Sequence, residues 1–196
     1  MLYKNIKPCA VISYDTATSL DLKFYLKEEN VSLIRVDPTD FLQNPTDEYQ
    51  YINLVIKDFD LRKKISLILD QQKLNRFSYI HPSSVTNGAT VGSGVFIYPS
   101  CSTYTNTVIK NDVIINGNSF LAHYTNIGNG TVISAGVTVG GSTQIGDFSF
   151  CVIGSTFSDK LTICNDVFVG AGAVVIKNID HSGTYVGIPA KNIKLK

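Results

Sequence analysis

The sequence predicts a small α/β amino-terminal domain with a short parallel sheet, followed by a parallel β-helix of hexapeptide repeats. Two observations carry most of this prediction. Val85, Val91, Ile97, Thr103, Ile109, Ile115, Leu121, Ile127, Ile133, Val139, Ile145, Cys151, Phe157, Ile163, Val169 and Val175 fall on one unbroken six-residue comb. Charge also divides the chain, because residues 1–84 carry eleven basic and eleven acidic side chains whereas residues 85–196 carry six and five, with Ser, Thr and Asn in their place. The expected domains are therefore 1–79 and 80–196, with the junction at Tyr79 to Ser84.

A repeat of fixed period buries its apolar residue only by stacking on its neighbours, so the first position of each hexad should point inward. The fifth position is small or apolar too (Val95, Cys101, Thr107, Val113, Ser119, Thr125, Thr131), as a narrow coil interior requires. Neither a period of two nor one of three to four fits the apolar positions, which excludes a simple alternating strand and an amphipathic helix. Glycine often stands second, at Gly92, Gly128, Gly140, Gly146 and Gly170, where a corner is expected to need an unusual φ.

The amino-terminal part alternates apolar runs with helix-like stretches: Ala10 to Ser13, a helix at Asp21 to Glu29, Val31 to Val36, Tyr51 to Ile56, and a helix around Leu61 to Leu74. Strands alternating with helices imply a parallel sheet.

Composition narrows the function classes. The net charge is +1 and no basic stripe with interleaved aromatics occurs, which argues against nucleic acid as a partner. Neither a leader-like segment nor an apolar run of bilayer length is present, so no membrane insertion and a cytoplasmic location are expected. Cys9, Cys101, Cys151 and Cys164 form no CxxC pair and show no metal-ligand spacing, so no metal is expected, and Cys101 and Cys151 read as small buried hydrophobes.

The lead-in Ile80-His81-Pro82-Ser83, the continuous array, the stretch Ile115-Asn116-Gly117-Asn118-Ser119-Phe120-Leu121-Ala122-His123-Tyr124-Thr125-Asn126-Ile127-Gly128, the run Gly170-Ala171-Gly172-Ala173-Val174-Val175 and the closing Gly187-Ile188-Pro189-Ala190-Lys191 together resemble the hexapeptide-repeat acyltransferases. Within these the chain is similar to the sialic-acid O-acetyltransferase and bacillosamine-pathway nucleotide-sugar N-acetyltransferase family, across essentially its whole length. The resemblance implies a left-handed β-helix with three hexads per triangular coil. Residues eighteen apart then stack one strand spacing apart, about 4.8 Å. About five coils are expected from Val85 to Val175.

The resemblance further implies acetyl transfer from acetyl-CoA to the amino group of a nucleotide-linked amino sugar in bacterial surface-glycan biosynthesis. The nearest rival is O-acetylation of a sialic acid or a polysaccharide sugar; a catalytically silent β-helix used for binding or structure is a third reading. A metal enzyme of carbonic-anhydrase type on the same scaffold would need three histidines at a subunit contact, and the array has one.

His123, third in its hexad, faces outward and is the expected general base. Gly141 lies eighteen residues on and is expected directly above it, either to present its backbone N–H to the developing oxyanion or as a corner needing positive φ. Asn116 matches a family position that orients the histidine or the acceptor, or is an ordinary corner residue. By resemblance CoA contacts are expected from Gly141, Gly170, Ala171, Ala173 and Lys191 in a groove between neighbouring β-helices, which implies a homotrimer.

Two departures stand out. Tyr124 replaces the acid that usually follows the histidine, and no glutamate occurs after Glu48. Val11-Ile12-Ser13-Tyr14-Asp15-Thr16 lacks the glycine-rich loop expected to approach nucleotide phosphates. Ser13, Thr16 and Tyr124 are the substrate contacts expected instead.

Overall fold

The computed structural model describes residues 7–14, 32–56 and 58–193. The chain divides into two compact units, Met1–Ser78 and Tyr79–Lys196.

In the first unit β1 (Cys9–Ile12), β2 (Leu33–Val36) and β3 (Gln50–Asn53) form a parallel sheet in the order β2-β1-β3. The central strand reads Cys-Ala-Val-Ile with every residue buried, the unbroken apolar run of a strand covered on both faces. Helix α1 (Pro38–Gln43) is one the apolar periodicity did not predict. It is built locally: the Asp37 carboxylate accepts from the Thr39 N–H, and Pro38 presets the first helical φ. Helix α2 (Phe59–Gln71) starts at Asp58, whose Oδ1 accepts from the Leu61 N–H at 3.0 Å. It packs Ile65 and Leu69 into a core with Ala10, Ile12, Phe41 and Tyr51. The helix expected at Asp21 to Glu29 lies outside the described residues.

The second unit is a parallel β-helix of two-residue strands on three faces. Face one carries Phe96–Ile97, Ile114–Ile115, Val132–Ile133 and Phe150–Cys151; face two carries Ser102–Thr103, Phe120–Leu121, Thr138–Val139 and Thr156–Phe157; face three carries Val108–Ile109, Asn126–Ile127, Gln144–Ile145 and Thr162–Ile163. The register is eighteen residues, as in Phe120↔Thr138 and Asn126↔Gln144. The coil extends past both ends of the comb. Tyr79↔Phe96 pairs at a spacing of seventeen and Val167↔Gly183 at sixteen, giving about six turns in place of the expected five.

First-position residues from Ile97 to Val175 are buried, and Val85, which starts the comb, is half exposed. Fifth-position hydroxyls are inside as well, and those of Thr107, Ser119, Thr125, Thr131 and Thr143 close corner carbonyls. Ser119 Oγ donates to the Asn116 and Ser134 carbonyls, and Thr143 Oγ1 donates to that of Ser158. A hydrogen-bonded hydroxyl removes most of the cost of a polar atom in the core.

The expectation that second-position glycines turn the corners with positive φ is corrected by the structure. Positive φ falls on the fourth position throughout, at Ser100, Asn106, Asn118, Tyr124, Gly130, Ser142 and Phe148 among others. The second-position glycines answer instead to a close approach one coil on. A Cβ on Gly128 would stand 2.5 Å from the Asp147 backbone nitrogen, and one on Gly140 would stand 2.4 Å from Asp159 Oδ1.

The closing segment covers an open edge. Val174 N–H donates to the Gly187 carbonyl, and Ala190 N–H donates to the Val174 carbonyl. The lead-in histidine has a local job: His81 Nδ1 accepts the Ser83 N–H at 3.1 Å.

Candidate functional site

The corner that follows face two stacks Thr105, His123, Gly141, Asp159 and Lys177 at intervals of eighteen. His123 is exposed, and its ring lies against Gly141. A Cβ built on Gly141 would stand 2.7 Å from His123 Cε1, 3.0 Å from Nε2 and 3.2 Å from Nδ1. Of the two readings of Gly141, the positive-φ corner is excluded, because its φ lies outside that range. Gly141 lacks a side chain because the imidazole takes that space.

The availability of the Gly141 N–H is a correction. It donates to Asp159 Oδ1 at 2.8 Å and is not open in this structure. The cause is a general corner device. At the corner before face one, the third-position N–H groups of Ser93, Asn111, Asn129 and Asp147 donate to the side-chain oxygens of Asn111, Asn129, Asp147 and Asn165, each eighteen residues on. Asp159 does the same for Gly141. The N–H of His123 has no such cap, since the residue above it is glycine, and among the described residues it makes no hydrogen bond.

Asp159 is the site residue that sequence reasoning missed. Its signal is a spacing: a second-position glycine followed nineteen residues later by Asn or Asp, as in Gly92/Asn111, Gly128/Asp147, Gly146/Asn165 and Gly140/Asp159.

Tyr124 stands at φ 58° with its ring edge-on to the imidazole, centroids 5.5 Å apart and planes at 82°. Where the acid was expected, an exposed aromatic ring flanks the histidine. Asn116 follows face one and therefore sits at a different corner from His123; its carbonyl accepts from Ser119 Oγ, and no hydrogen bond joins it to the imidazole.

The expected CoA contacts separate. Ala171 is exposed, but Ala173 is fully buried with its methyl in the coil core, and its N–H and carbonyl serve Gly170 and Thr156, so it has nothing to offer a ligand. Gly170 is glycine because a Cβ there would stand 2.7 Å from Val186 Cγ1. Lys191 and Lys177 border a cavity of about 260 Å³ with Ile176, Tyr185, Pro189 and Ala190.

In the first unit Ser13 follows the central strand and is 1 % exposed, and its carbonyl accepts from Arg35. Tyr14 beside it is exposed. Thr16 lies outside the described residues. Arg62, fully buried, donates through Nη1 to the Asn53 and Val55 carbonyls and holds the start of α2 to the end of β3. Burial pushes the Cys9 thiol up to about 12 and raises those of Cys101 and Cys151. Among the described residues no three His, Cys, Asp or Glu side chains converge as a metal-ligand set, and no helix is long and apolar enough to cross a membrane.

This architecture is similar to solved structures along almost its whole length. The acetyltransferase domain of PglB from Neisseria gonorrhoeae matches with a TM-score of 0.82 at 22 % identity, covering 95 % of this chain and all of that one. The same domain in complex with acetyl coenzyme A matches with a TM-score of 0.81 at 21 % identity, covering 96 % and 100 %. PerB from Caulobacter crescentus, in complex with CoA and GDP-perosamine, matches with a TM-score of 0.71 at 21 % identity, covering 95 % and 97 %. The fold is shared with these structures. Among curated proteins the UDP-3-O-acylglucosamine N-acyltransferase of Bordetella avium is 35 % identical over 107 residues, 52 % of this chain and 29 % of that protein. The corresponding protein of Bordetella pertussis is 37 % identical over 84 residues, 42 % and 23 %. The chain thus spans less than a third of the length of these relatives. No family model matches it.

Proposed function

We propose that this chain is an N-acetyltransferase that moves acetyl from acetyl-CoA to the amino group of a nucleotide-linked amino sugar, in the cytoplasm and in the service of surface-glycan synthesis. The observation that carries this is the outward imidazole of His123 packed on Gly141, in a fold shared with proteins solved with acetyl coenzyme A and with GDP-perosamine.

A ring nitrogen of His123 accepts the proton that the acceptor nitrogen loses as its lone pair forms the new N–C bond. The C–S bond then breaks, and the imidazolium returns the proton to the departing thiolate, giving the amide and free CoA. No covalent enzyme intermediate is required. The uncapped N–H of His123 lies on this corner as a donor for the thioester oxygen, with the Gly141 N–H beside it held by Asp159, and one such donor is worth about 3 kcal/mol in related acyl transfer. Tyr124 holds the imidazole by its ring edge in place of an acid.

CoA runs along the β-helix with its phosphates at the Lys177 and Lys191 cavity, where lysine binds phosphate as a point charge. A groove between β-helices requires more than one chain, hence a cyclic homotrimer. The nucleotide is received by the first unit at the carboxyl end of β1, where the order β2-β1-β3 reverses direction and Tyr14 is exposed.

The test is product identification. Incubated with acetyl-CoA and matched pairs of nucleotide-linked sugars carrying amino or hydroxyl groups, the protein should yield a mass increase of one acetyl on the amino member alone. Acetylation of the hydroxyl member instead would replace this reading with O-acetylation. Sedimentation at a monomer mass would remove the intersubunit groove.

A further inference from the structure

Resting on that reading, the geometry points to Asp159 as a positioning residue that sets when the acyl oxygen gains the Gly141 N–H. The Asp159 carboxylate takes that N–H at 2.8 Å. His123 crowds the same glycine, with Nε2 at 3.0 Å from the Cβ position. The base and the carboxylate therefore both converge on one peptide unit. A thioester oxygen arriving beside His123 finds the His123 N–H uncapped and the Gly141 N–H already given to an anion.

The other third-position caps sit at the corner before face one, where Asn111, Asn129 and Asn165 are neutral and only Asp147 shares the carboxylate. Asp159 places a carboxylate in the His123 column and is itself exposed, so it can turn into solvent when displaced. Displacement exchanges a bond to the carboxylate for one to the acyl oxygen, with no proton moved. The cap thus keeps the donor ordered until an acyl group is present, and it weakens the binding of acetyl-CoA without touching CoA, which has no thioester oxygen.

Calorimetry on the full chain tests this with acetyl-CoA and free CoA as probes. Asp159→Ala should tighten acetyl-CoA about three- to tenfold, the discounted worth of an exposed charge-assisted bond, and leave CoA unchanged. Amide exchange at Gly141 should quicken in the same variant. Asp159→Asn keeps a neutral cap of the kind Asn165 provides, should fold as the parent does, and should fall between; it decides the matter where the Ala variant does not fold. Acetyl-CoA binding that is unchanged or weaker, or equal tightening of CoA, overturns the role of Asp159 while leaving the acetyltransferase reading intact. A parent chain that binds neither probe removes both.

Discussion

The imidazole of His123 fills the place where Gly141 would carry a side chain: a Cβ on Gly141 would come within 2.7 Å of Cε1. The stacking of residues eighteen apart produces this contact, and it makes glycine at 141 a requirement of the histidine above all. Gly141→Ala should push the ring off its position. Misplacement of a catalytic group by about 1 Å costs on the order of 100-fold in rate. We expect that loss in turnover with the thermal midpoint nearly unchanged, because the displaced atoms belong to an exposed side chain; steady-state kinetics beside a melting curve checks both.

Gly128→Ala should behave in the opposite way. Its new Cβ would meet the backbone of Asp147 and Gly146 at 2.5 Å, which no side-chain rotation relieves. Overpacking of this kind costs about 1–3 kcal/mol, and we expect it as a shift in urea midpoint.

Tyr124 couples stability to its place beside His123. It holds φ at 58°, a region that costs a residue with a Cβ about 1–2 kcal/mol. Tyr124→Gly relieves that strain and removes the ring that flanks the imidazole. The expected outcome is a chain that resists denaturant better and turns over severalfold more slowly. Slower turnover without the gain in stability would mean that the ring packs more than it strains.

Cys9 predicts a pH dependence. Its thiol rises from 9.0 to about 12 in the folded chain, so above pH 9 the unfolded chain loses a proton that the folded chain keeps. The stability it contributes is complete below pH 9 and falls as pH rises toward 12. Melting at pH 8 and pH 10.5 should show this decline, and Cys9→Ala should show less of it.

Most of the second unit was legible because each coil can bury its comb residue only against the next, which makes the period itself a statement of structure. The stack of His123 beneath Gly141 followed from counting to eighteen. Two features were not legible in that count. Which hexad position takes positive φ depends on the corner backbone, which imposes it on Ser100, Tyr124 and Phe148 as well as on glycine. The cap on Gly141 depends on a residue in the next coil, and Asp159 reads as solvent-facing until the nineteen-residue spacing from Gly140 is noticed. In the first unit the apolar strands were plain, whereas α1 arises from Asp37 capping and Pro38 and carries little apolar period. Ser13 stands out in the sequence as a hydroxyl in a loop that lacks glycine, and its place at the end of the central strand buries it.

The central claim is that His123 takes the proton from an amine attacking a thioester. Thiol release from acetyl-CoA, followed with a panel of nucleotide-linked amino sugars for the parent chain and His123→Ala, tests it most directly. We expect release with an amino acceptor in the parent and a fall of about 10²- to 10⁴-fold in the variant. Equal release from both proteins would contradict the assignment of His123.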